Sequence, residues 1–553
     1  MIRIGEISRM IRTLRTLSAE QILSHVIYGI RGHTSARLRP KHPPEMTTGG
    51  ALVPFLKGPA HASWDDKGGL ELIHQRVDFS SGVDWSYAAA GSLWTYQLHN
   101  FDHLRGEGLS REFRTEVLMS WIRNHRSGVG WDPHPTSLRL LSWGKLLLSP
   151  GSLLLDDQKA LPIYESMAQQ ADCLKLNLEV RLQTNHLFSN LVGLVFAGLL
   201  FSGERADFWL KYDEDLIKEM RKQFNSDGGH EERSPMYHCL LVENLLDVLN
   251  LARVRPERAS ARLVKNLEET IARSLSALKV WLQPDGRIAL FADSSFGVAS
   301  EPDSLLQYAL DLGVLPREFP GSERVLMDTG YARLEAKELG LIASVAGPMP
   351  AHNPGHAHCD ALGFELWCGS ERVVTDTGVY EYLSGPRREI SRETLSHATL
   401  KLGATDQAEV WSAHRVGGRP EVKLLSFEDG HRFEASCRGW ATRENVHHRI
   451  FMTDGRDIEV QDRVEGPGIK TQLSLPLAPG IRARLVHDPD GDAEVHLALE
   501  SGRRIRICLP IEAEWRIEPH VYFPEFGVEV VRQRIVGESD SFESGRWRFE
   551  LLE

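Results

Sequence analysis

The sequence changes its hydrophobic periodicity near residue 320, and this change limits the available folds more than any other feature. Before that point, apolar residues recur at three- and four-residue spacing, and Gly, Pro and Asp interrupt the pattern. Clear examples are segments 110–125, 157–182 and 258–282. Many helices in succession without intervening strands predict a helical array or toroid, not an α/β sheet.

The remaining residues follow the pattern of strands. Short segments rich in β-branched residues alternate apolar and polar positions, and Gly, Asp and Pro separate them. These segments are 371–382, 456–464, 493–502 and 504–511. They predict an antiparallel β-sandwich. The fold class is therefore α+β multidomain: we predict an N-terminal basic helical segment (1–45), a toroid domain (46–315) and a β-sandwich domain (316–553).

The net charge limits the partners of the chain. A formal charge of −12 over 553 residues repels DNA, RNA and anionic surfaces, so we predict no nucleic-acid partner. An acidic polysaccharide would meet the same mean repulsion and would need a local basic cleft. The most apolar stretch, 187–201, is too short to span a bilayer, which predicts no membrane insertion.

The cysteines and the N-terminus bear on the compartment. Six scattered cysteines without a CxxC pair predict reduced, mostly buried thiols. The first 21 residues alternate Arg with single apolar residues and lack a continuous apolar region, so we expect no secretory signal. We therefore expect a cytoplasmic protein and disfavour a periplasmic one. The sequence leaves a homo-oligomer open.

The densest cluster of chemically active residues opens the β half. His356 and His358 form an HxH motif, and on a strand their side chains would point to the same face. Asp376 follows after a turn-like CGSER, and His397 lies further on. Two imidazoles and a carboxylate from adjacent strands form a divalent-metal shell that suits zinc. Taken alone, an HxH motif more often marks surface histidines.

Three further clusters lie in the helical half. Asn185 and His186 open the apolar helix, where helix capping and a core histidine are the plain alternative. GGHEERSPMYH brings Glu232, Tyr237 and His238 to the start of another helix, where the alternative is an ordinary capped helix with a buried tyrosine. A loop before a third helix, from Trp131 to Arg139, mixes aromatic and basic groups that suit a sugar platform or simple packing.

Six motifs, in order, resemble the heparinase II/III-like family of polysaccharide lyases. They are WDPHPTSLRLLSW, LQTNHLFSNLVGLVFAGLLF, DGGHEERSPMYH, PDGRIALFADSS, GHAHCDALGFELW and VVTDTGVYEY. Their shared order is far more specific than any one motif, and it outweighs the alternatives given for the isolated clusters. The resemblance implies an incomplete (α/α) toroid followed by an antiparallel β-sandwich, with the active site in the cleft between them.

The resemblance also implies roles for individual residues. Asn185 and His186 match the pair that engages the substrate carboxylate, Tyr237 the catalytic tyrosine, and His356 the catalytic histidine. His358, Asp376 and His397 match metal ligands, so we expect a divalent metal, Zn²⁺, in a structural role. We assign substrate binding to Trp131, Arg139, Glu232 and His238.

The expected activity is β-elimination on a uronic-acid-containing polysaccharide, which gives unsaturated oligosaccharides. Glycosaminoglycan-like polymers, alginate and bacterial exopolysaccharides all remain open. One alternative is a glycoside hydrolase on the same toroid, which would need a carboxylate pair from Glu231, Glu232 and Asp293. The other is a non-catalytic polysaccharide-binding or biosynthesis protein that has kept the fold.

Overall fold

The computed structural model describes residues 4–33, 44–46, 50–59, 61–155, 157–317, 324–428, 430–487 and 492–552. Helices dominate the described residues before position 312. They are α1 (Ile4–Leu14), α2 (Ala19–Arg31), α3 (Ser92–Asn100), α4 (Arg111–Asn124), α5 (Pro133–Leu148), α6 (Asp157–Leu176), α7 (Thr184–Leu200), α8 (Glu204–Leu210), α9 (Asp213–Gln223), α10 (Pro235–Val254), α11 (Ala261–Trp281) and α12 (Pro302–Asp311). One short helix, α13 (Pro386–Arg392), lies in the β region.

Five short strands accompany the helices: β1 (Glu45–Met46), β2 (Ser63–Trp64), β3 (Gly69–Leu72), β4 (Gln75–Asp78) and β5 (Phe201–Ser202). The others follow residue 324: β6 (Val325–Leu326), β7 (Tyr331–Glu335), β8 (Leu339–Ser344), β9 (Phe364–Cys368), β10 (Glu371–Val374), β11 (Leu400–Leu402), β12 (Val410–Trp411), β13 (Arg415–Val416), β14 (Glu421–Glu428), β15 (Arg432–Arg438), β16 (Val446–Thr453), β17 (Ile458–Glu465), β18 (Thr471–Pro476), β19 (Arg482–His487), β20 (Ala493–Ala498), β21 (Arg504–Cys508), β22 (Glu514–Tyr522), β23 (Val530–Ser539) and β24 (Ser544–Leu552).

The helical region is organised around α7, which is apolar on nearly its whole circumference. Its residues from Leu187 to Leu200 are all buried, and α7 packs against α5 and α10. A helix that is hydrophobic all round is not amphipathic, and in a large protein it packs inside the core. No helix in the described ranges has the length and apolarity needed to cross a bilayer.

The β region forms layers of antiparallel sheets. A five-stranded sheet has the order β10–β9–β8–β7–β6, a four-stranded sheet the order β11–β18–β23–β22, and an eight-stranded sheet the order β14–β15–β16–β17–β24–β21–β20–β19. Buried and exposed positions alternate along β17, so that one face packs inward. Phe364, Phe433, Phe451 and Phe549 contribute to the buried core shared by these strands. The predicted order, a helical toroid and then a β-sandwich, is confirmed.

Arg233 joins the helical and β regions. Its guanidinium donates to the Thr329, Gly330 and Ala346 carbonyls at 2.7, 3.0 and 2.8 Å, and to Ser344 Oγ at 3.0 Å. A small apolar cluster that includes residues of α11, β7 and β9 packs beside these contacts. The two regions therefore meet through both buried polar and apolar groups, which fixes the cleft between them.

Two local predictions have different outcomes. The six cysteines form no disulfide among the described residues, and five of them are buried, as predicted. The prediction that His356 and His358 lie on a strand is wrong. Both lie in the loop between β8 and β9. Asp376 follows β10, the second strand of the β9–β10 hairpin, as the turn-like CGSER indicated.

Candidate active site

Left-handed backbone precedes three of the segments that build the site. Gln183 and Thr184 have φ of 58° and 54° directly before Asn185, and Ala292 has φ of 54° directly before Asp293. Arg233, with φ of 61°, stands two residues before α10 begins. Non-glycine residues in this region cost about 1–3 kcal/mol each and concentrate at functional sites. The chain thus holds strained turns where it presents polar side chains.

Tyr237 is presented by the first turn of α10. Ser234 caps this helix, and its hydroxyl accepts a hydrogen bond from the Tyr237 N–H at 3.2 Å. The Tyr237 hydroxyl lies 3.1 Å from the Tyr382 hydroxyl, and its ring centroid lies 4.1 Å from that of His356. Burial raises the pKa of Tyr237. The phenol is therefore neutral near pH 7 and able to donate its proton.

Asp293 organises the two histidines of the HxH motif. Its carboxylate accepts from His356 Nδ1 and from His358 Nε2, both at 2.8 Å, and from both terminal nitrogens of Arg388. Burial opposes ionisation, but Arg388 and the two histidines hold the pKa of Asp293 well below its usual range. Asp293 is therefore a permanent carboxylate that fixes the orientation of both imidazoles.

Glu179 favours the protonated form of His186 at the start of α7. Its Nδ1 lies 3.1 Å from Glu179 Oε1, and Asn190 donates to the other Glu179 oxygen at 3.2 Å. Burial by itself lowers the pKa of His186, but the Glu179 carboxylate outweighs burial and raises it. The neighbouring Asn185 is fixed by its backbone N–H, which donates to Glu232 Oε1 at 2.7 Å.

Two adjacent glutamates lie behind these groups. Glu232 Oε2 is 3.3 Å from His356 Nε2, which places this imidazole between two carboxylates. Burial raises the pKa of Glu232, although His356 partly opposes the rise. Burial, together with repulsion from Glu232, raises the pKa of Glu231 to about 8. Glu231 therefore carries a proton at neutral pH in the folded protein.

The Glu231→Gln variant should be more stable than the wild type, and its advantage should grow with pH. An unfolded glutamate loses its proton near pH 4.5, whereas folded Glu231 keeps it until about pH 8. Wild-type stability is therefore penalised progressively across that window, by about 1.4 kcal/mol per pKa unit, and the amide removes this penalty. Denaturant midpoints at pH 5 and pH 8 measure it. Exposed Glu214→Gln is the control, and an equal advantage at both pH values would contradict the prediction.

His358, Asp376 and His397 form a buried cluster that fits a metal ion. One ligand atom from each lies within 4.8 Å of the others. His358 Nδ1 and His397 Nε2 are buried and have no hydrogen-bond partner within the described part of the chain. Asp293 supports His358 from the opposite nitrogen, an arrangement common behind metal-bound histidines. The three residues assigned as ligands are therefore brought together, with donors that suit a divalent cation.

A cavity of about 650 Å³ opens in front of Tyr237. Asn185, Tyr237 and Tyr382 line it, so that residues from both regions form its wall. Its lining Lys and Arg side chains all have carboxylate partners: Lys57 with Glu107, Arg105 with Asp102, and Lys145 with Glu243. Its described lining residues include equal numbers of Lys/Arg and Asp/Glu. The strongly basic cleft expected for an acidic polymer is therefore not found in this cavity.

Two predicted substrate-binding residues serve packing instead. Arg139 is fully buried, and its guanidinium donates to Gln170 Oε1 at 2.9 Å and to the His99 carbonyl at 3.0 Å. Trp131 is buried, and its indole N–H donates to the His125 carbonyl at 3.3 Å. The aromatic and basic groups of this segment therefore face the helical core, which corrects the prediction of a sugar platform.

The other two predicted substrate-binding residues have different surroundings. His238 is fully buried, with Nε2 2.9 Å from the Ser274 carbonyl, and does not reach the cavity, so its assignment is also corrected. Glu232 is buried as well, but it contacts His356 and Asn185 and thereby belongs to the candidate site. It acts through those two residues without lining the cavity.

Several site residues were not found by sequence reasoning. Asp293 was considered only as a hydrolase carboxylate, although it lies in the PDGRIALFADSS motif, and Tyr382 ends the VVTDTGVYEY motif. Arg388 and Glu179 lie outside every quoted motif. Their partners are distant in sequence or in a different element, so no local spacing marks them. Membership of a motif was a usable signal for Asp293 and Tyr382 only.

The carboxylates named for a glycoside hydrolase lie behind the cavity wall, as His186 and His356 do. None of Glu231, Glu232 and Asp293 is among the described residues that line the cavity. Asp293 is also too acidic to act as a proton donor near neutral pH. Asp293 therefore does not supply the acid that a hydrolase needs.

The chain is similar to known proteins over most of its length. The chain is 22% identical over 506 residues to a heparin-sulfate lyase of Bacteroides thetaiotaomicron, with 80% of this chain and 69% of the relative covered. It is 23% identical over 442 residues to the FtsZ-localized protein C of Caulobacter vibrioides, with 75% and 72% covered.

Solved structures show the same fold. The crystal structure of a heparinase III superposes with a TM-score of 0.66 at 20% identity, covering 85% of this chain and 79% of that one. A heparan sulfate lyase from Pedobacter heparinus gives a TM-score of 0.57 at 18% identity, covering 88% and 81%. Family models match along most of the chain: the heparinase II/III N-terminus over residues 73–310 and the heparinase II/III-like C-terminal region over residues 320–548. With the fold and both family regions in agreement, the chain belongs to the heparinase II/III-like family of polysaccharide lyases.

Proposed function

We propose that this chain cleaves a uronic-acid-containing polysaccharide by β-elimination. The reaction removes the proton from C-5 of a uronate, breaks the bond between C-4 and the glycosidic oxygen, and leaves a double bond between C-4 and C-5. The observation that supports it best is Tyr237, a neutral phenol at the wall of the cavity, beside Asn185 and close to His356.

The substrate carboxylate must be neutralised before its neighbouring C–H bond can ionise. Asn185 supplies an amide at the cavity wall. The adjacent His186, whose protonated form Glu179 favours, supplies a second donor. Donors that are already oriented toward the place where negative charge develops lower the barrier without reorganisation. We assign Asn185 and His186 to this task, and Glu179 to positioning His186.

An acid and a base are also required. Tyr237 is our acid for the departing glycosidic oxygen. If both reacting groups lie on the same face of the sugar, its deprotonated form takes the C-5 proton and then passes that proton to the glycosidic oxygen. His356, fixed through Nδ1 by Asp293, is the base for the opposite stereochemistry. The 3.1 Å contact from Tyr382 offers the Tyr237 oxygen a hydrogen bond while it carries charge.

The charge balance of the cavity favours a polymer with few sulfate groups. Its Lys and Arg side chains are already paired with carboxylates, and the whole chain carries −12. A densely sulfated polymer would compete for these cations. The pairs of Arg105 and Lys145 are largely buried, and breaking either leaves an unpaired charge. With an unsulfated uronate polymer, the site has to neutralise only the carboxylate of the reacting uronate. We therefore place unsulfated uronate polymers ahead of heparin as substrates.

The experiment that tests this function follows the ultraviolet absorbance of the new conjugated double bond. Purified protein is offered a panel of unsulfated glucuronate polymers, alginate and heparin. We expect absorbance to rise fastest with an unsulfated polymer. Faster turnover of heparin would overturn the substrate proposal. Release of reducing ends without absorbance would overturn β-elimination and favour hydrolysis.

We propose further that His358, Asp376 and His397 hold a structural Zn²⁺. In that place the ion would bind the unpartnered imidazole nitrogens of His358 and His397. It would also anchor the loop that presents His356, which Asp293 already contacts directly. Two imidazoles and one carboxylate are a donor set that zinc accepts. A calcium or magnesium site would favour oxygen donors alone.

Zinc should raise the melting temperature of the wild type, and a chelator should reverse the rise. A ligand present at about 100 times its Kd adds about 2.7 kcal/mol to the stability of the folded state. His397→Ala should lose the zinc-dependent increment. The control His447→Ala removes another buried, aspartate-bound histidine and should keep it. An increment of equal size in both variants would place the ion elsewhere.

A binding protein without catalysis is the second candidate, and one observation supports it. One similar protein, the FtsZ-localized protein C, has a name that refers to localisation and not to cleavage. If the chain binds a uronate polymer in a pull-down but produces neither absorbance nor reducing ends, this candidate replaces the lyase.

A further inference from the structure

The outward face of the two N-terminal helices is strongly apolar. Within the described ranges, 21 large hydrophobic side chains are exposed, and nine of them lie between residues 7 and 30. These nine are Ile7, Met10, Ile11, Leu14, Ile22, Leu23, Val26, Ile27 and Ile30, and they are 46–83% exposed. We call this set the N-terminal apolar face. Nine exposed large apolar side chains between residues 7 and 30 are an unusual concentration for the surface of a monomeric protein.

The apolar residues recur at helical spacing and form a stripe on each helix. On α1 the four side chains follow i, i+3, i+4 and i+7, and on α2 Ile22, Val26 and Ile30 follow i, i+4 and i+8. Residues at these spacings lie on one side of a helix. Both helices are therefore amphipathic, with a ridge of aliphatic side chains that is exposed along its length.

The helices contact the rest of the protein through their polar sides. Arg12 donates to both Glu409 carboxylate oxygens, at 2.8 and 2.5 Å, and Trp411 Nε1 donates to Thr13 Oγ1 at 3.2 Å. On α2, Gln21 is 1% exposed. A surface helix ordinarily buries its apolar side against the protein core. Here the polar side chains face the protein and the apolar face is exposed. This arrangement suits contact with a partner.

Charge indicates what that partner is. Residues 1–45 contain eight Arg and Lys against three Glu, whereas the whole chain carries −12. Arg15, at the end of α1, is exposed beside the apolar ridge. A second copy would bring two net-positive segments together and repel. An anionic lipid surface attracts each basic residue by about 1 kcal/mol and accepts aliphatic side chains into its acyl boundary.

We propose that α1 and α2 dock the protein peripherally on an anionic lipid bilayer. The N-terminal apolar face lies in the interface, with Arg15 at the headgroups and the acidic remainder of the chain held away. The helices do not span the bilayer, because their apolar residues occupy one side only. This docking is independent of the lyase site, since none of its residues lines the catalytic cavity.

The test uses the full-length chain and sedimentation with vesicles. We expect binding to phosphatidylglycerol/phosphatidylethanolamine vesicles, weaker binding at high salt, and little binding to phosphatidylcholine vesicles. The double variant Ile11→Asp/Ile27→Asp should reduce the partition coefficient at least roughly tenfold, because it places charge on the apolar face and removes two side chains worth about 1.5–3 kcal/mol each when buried. Its catalytic absorbance assay should be unchanged.

The matched control is Leu425→Asp/Ile511→Asp, which places the same charges at exposed aliphatic positions outside the apolar face. It should bind vesicles like the wild type. The proposal is overturned if the wild type binds no anionic vesicle, or if both double variants bind equally. It is also overturned if light scattering shows a wild-type dimer that only Ile11→Asp/Ile27→Asp dissociates, since the face would then join two copies.

Discussion

Tyr237→Phe should lower kcat by about 10³-fold while KM and the melting temperature stay close to those of the wild type. Proton transfer by a positioned side chain contributes about 10²–10⁴-fold, and the substitution removes the one oxygen that we assign to it. The phenylalanine ring still packs beside His356. Only the hydrogen bond to Tyr382 is lost, which is worth about 1 kcal/mol. The rate is measured by the absorbance of the unsaturated product.

Tyr380→Phe is the matched control, because it removes the same atom from a tyrosine that packs against Phe523 and not in the site. It should retain wild-type activity. Full activity of Tyr237→Phe would remove the tyrosine from the mechanism and leave His356 as the proton-transfer group. A fall in kcat together with a large fall in the melting temperature would instead indicate a structural role.

Asp293→Asn should lower the free energy of unfolding by about 3–5 kcal/mol and abolish most of the activity. Asp293 is fully buried and is the carboxylate that both terminal nitrogens of Arg388 contact, and the Arg388 side chain is only 1% exposed. Removing one member of a buried ion pair leaves an uncompensated charge, and this is among the most destabilising changes a core can receive. His356 and His358 lose their acceptor in the same substitution.

Asp285→Asn provides the comparison. Asp285 also binds an arginine through two nitrogens, at 2.6 and 3.1 Å from Arg372, but it is 24% exposed. An exposed pair is worth about 0–1 kcal/mol, so this variant should be only slightly destabilised. The double variant Asp293→Asn/Arg388→Met should be more stable than Asp293→Asn alone, since it removes the stranded cation. Equal destabilisation by Asp293→Asn and Asp285→Asn would show that burial of the first pair has no energetic consequence.

The class and order of the elements could be predicted because they depend on local spacing. Three- and four-residue periodicity predicted α4, α6 and α11, and alternation predicted β17, β20 and β21. The ligand set His358, Asp376 and His397 came from the family resemblance and not from spacing, and the structure brings these residues together. Short motifs retain such information because each supplies one fixed part of a site.

The sequence by itself determined the helical and strand regions and named Tyr237 and His356 as candidate reactive groups. Only the tertiary structure decided which groups they meet. Asp293 lies 63 residues from His356 and 95 from Arg388, and no periodicity relates positions so far apart. Periodicity likewise shows that a helix has an apolar side, but not which side packs. The core around α5 buries the basic Arg139, whereas α1 leaves aliphatic Ile11 exposed, because the neighbouring surface, and not the helix, decides what is covered.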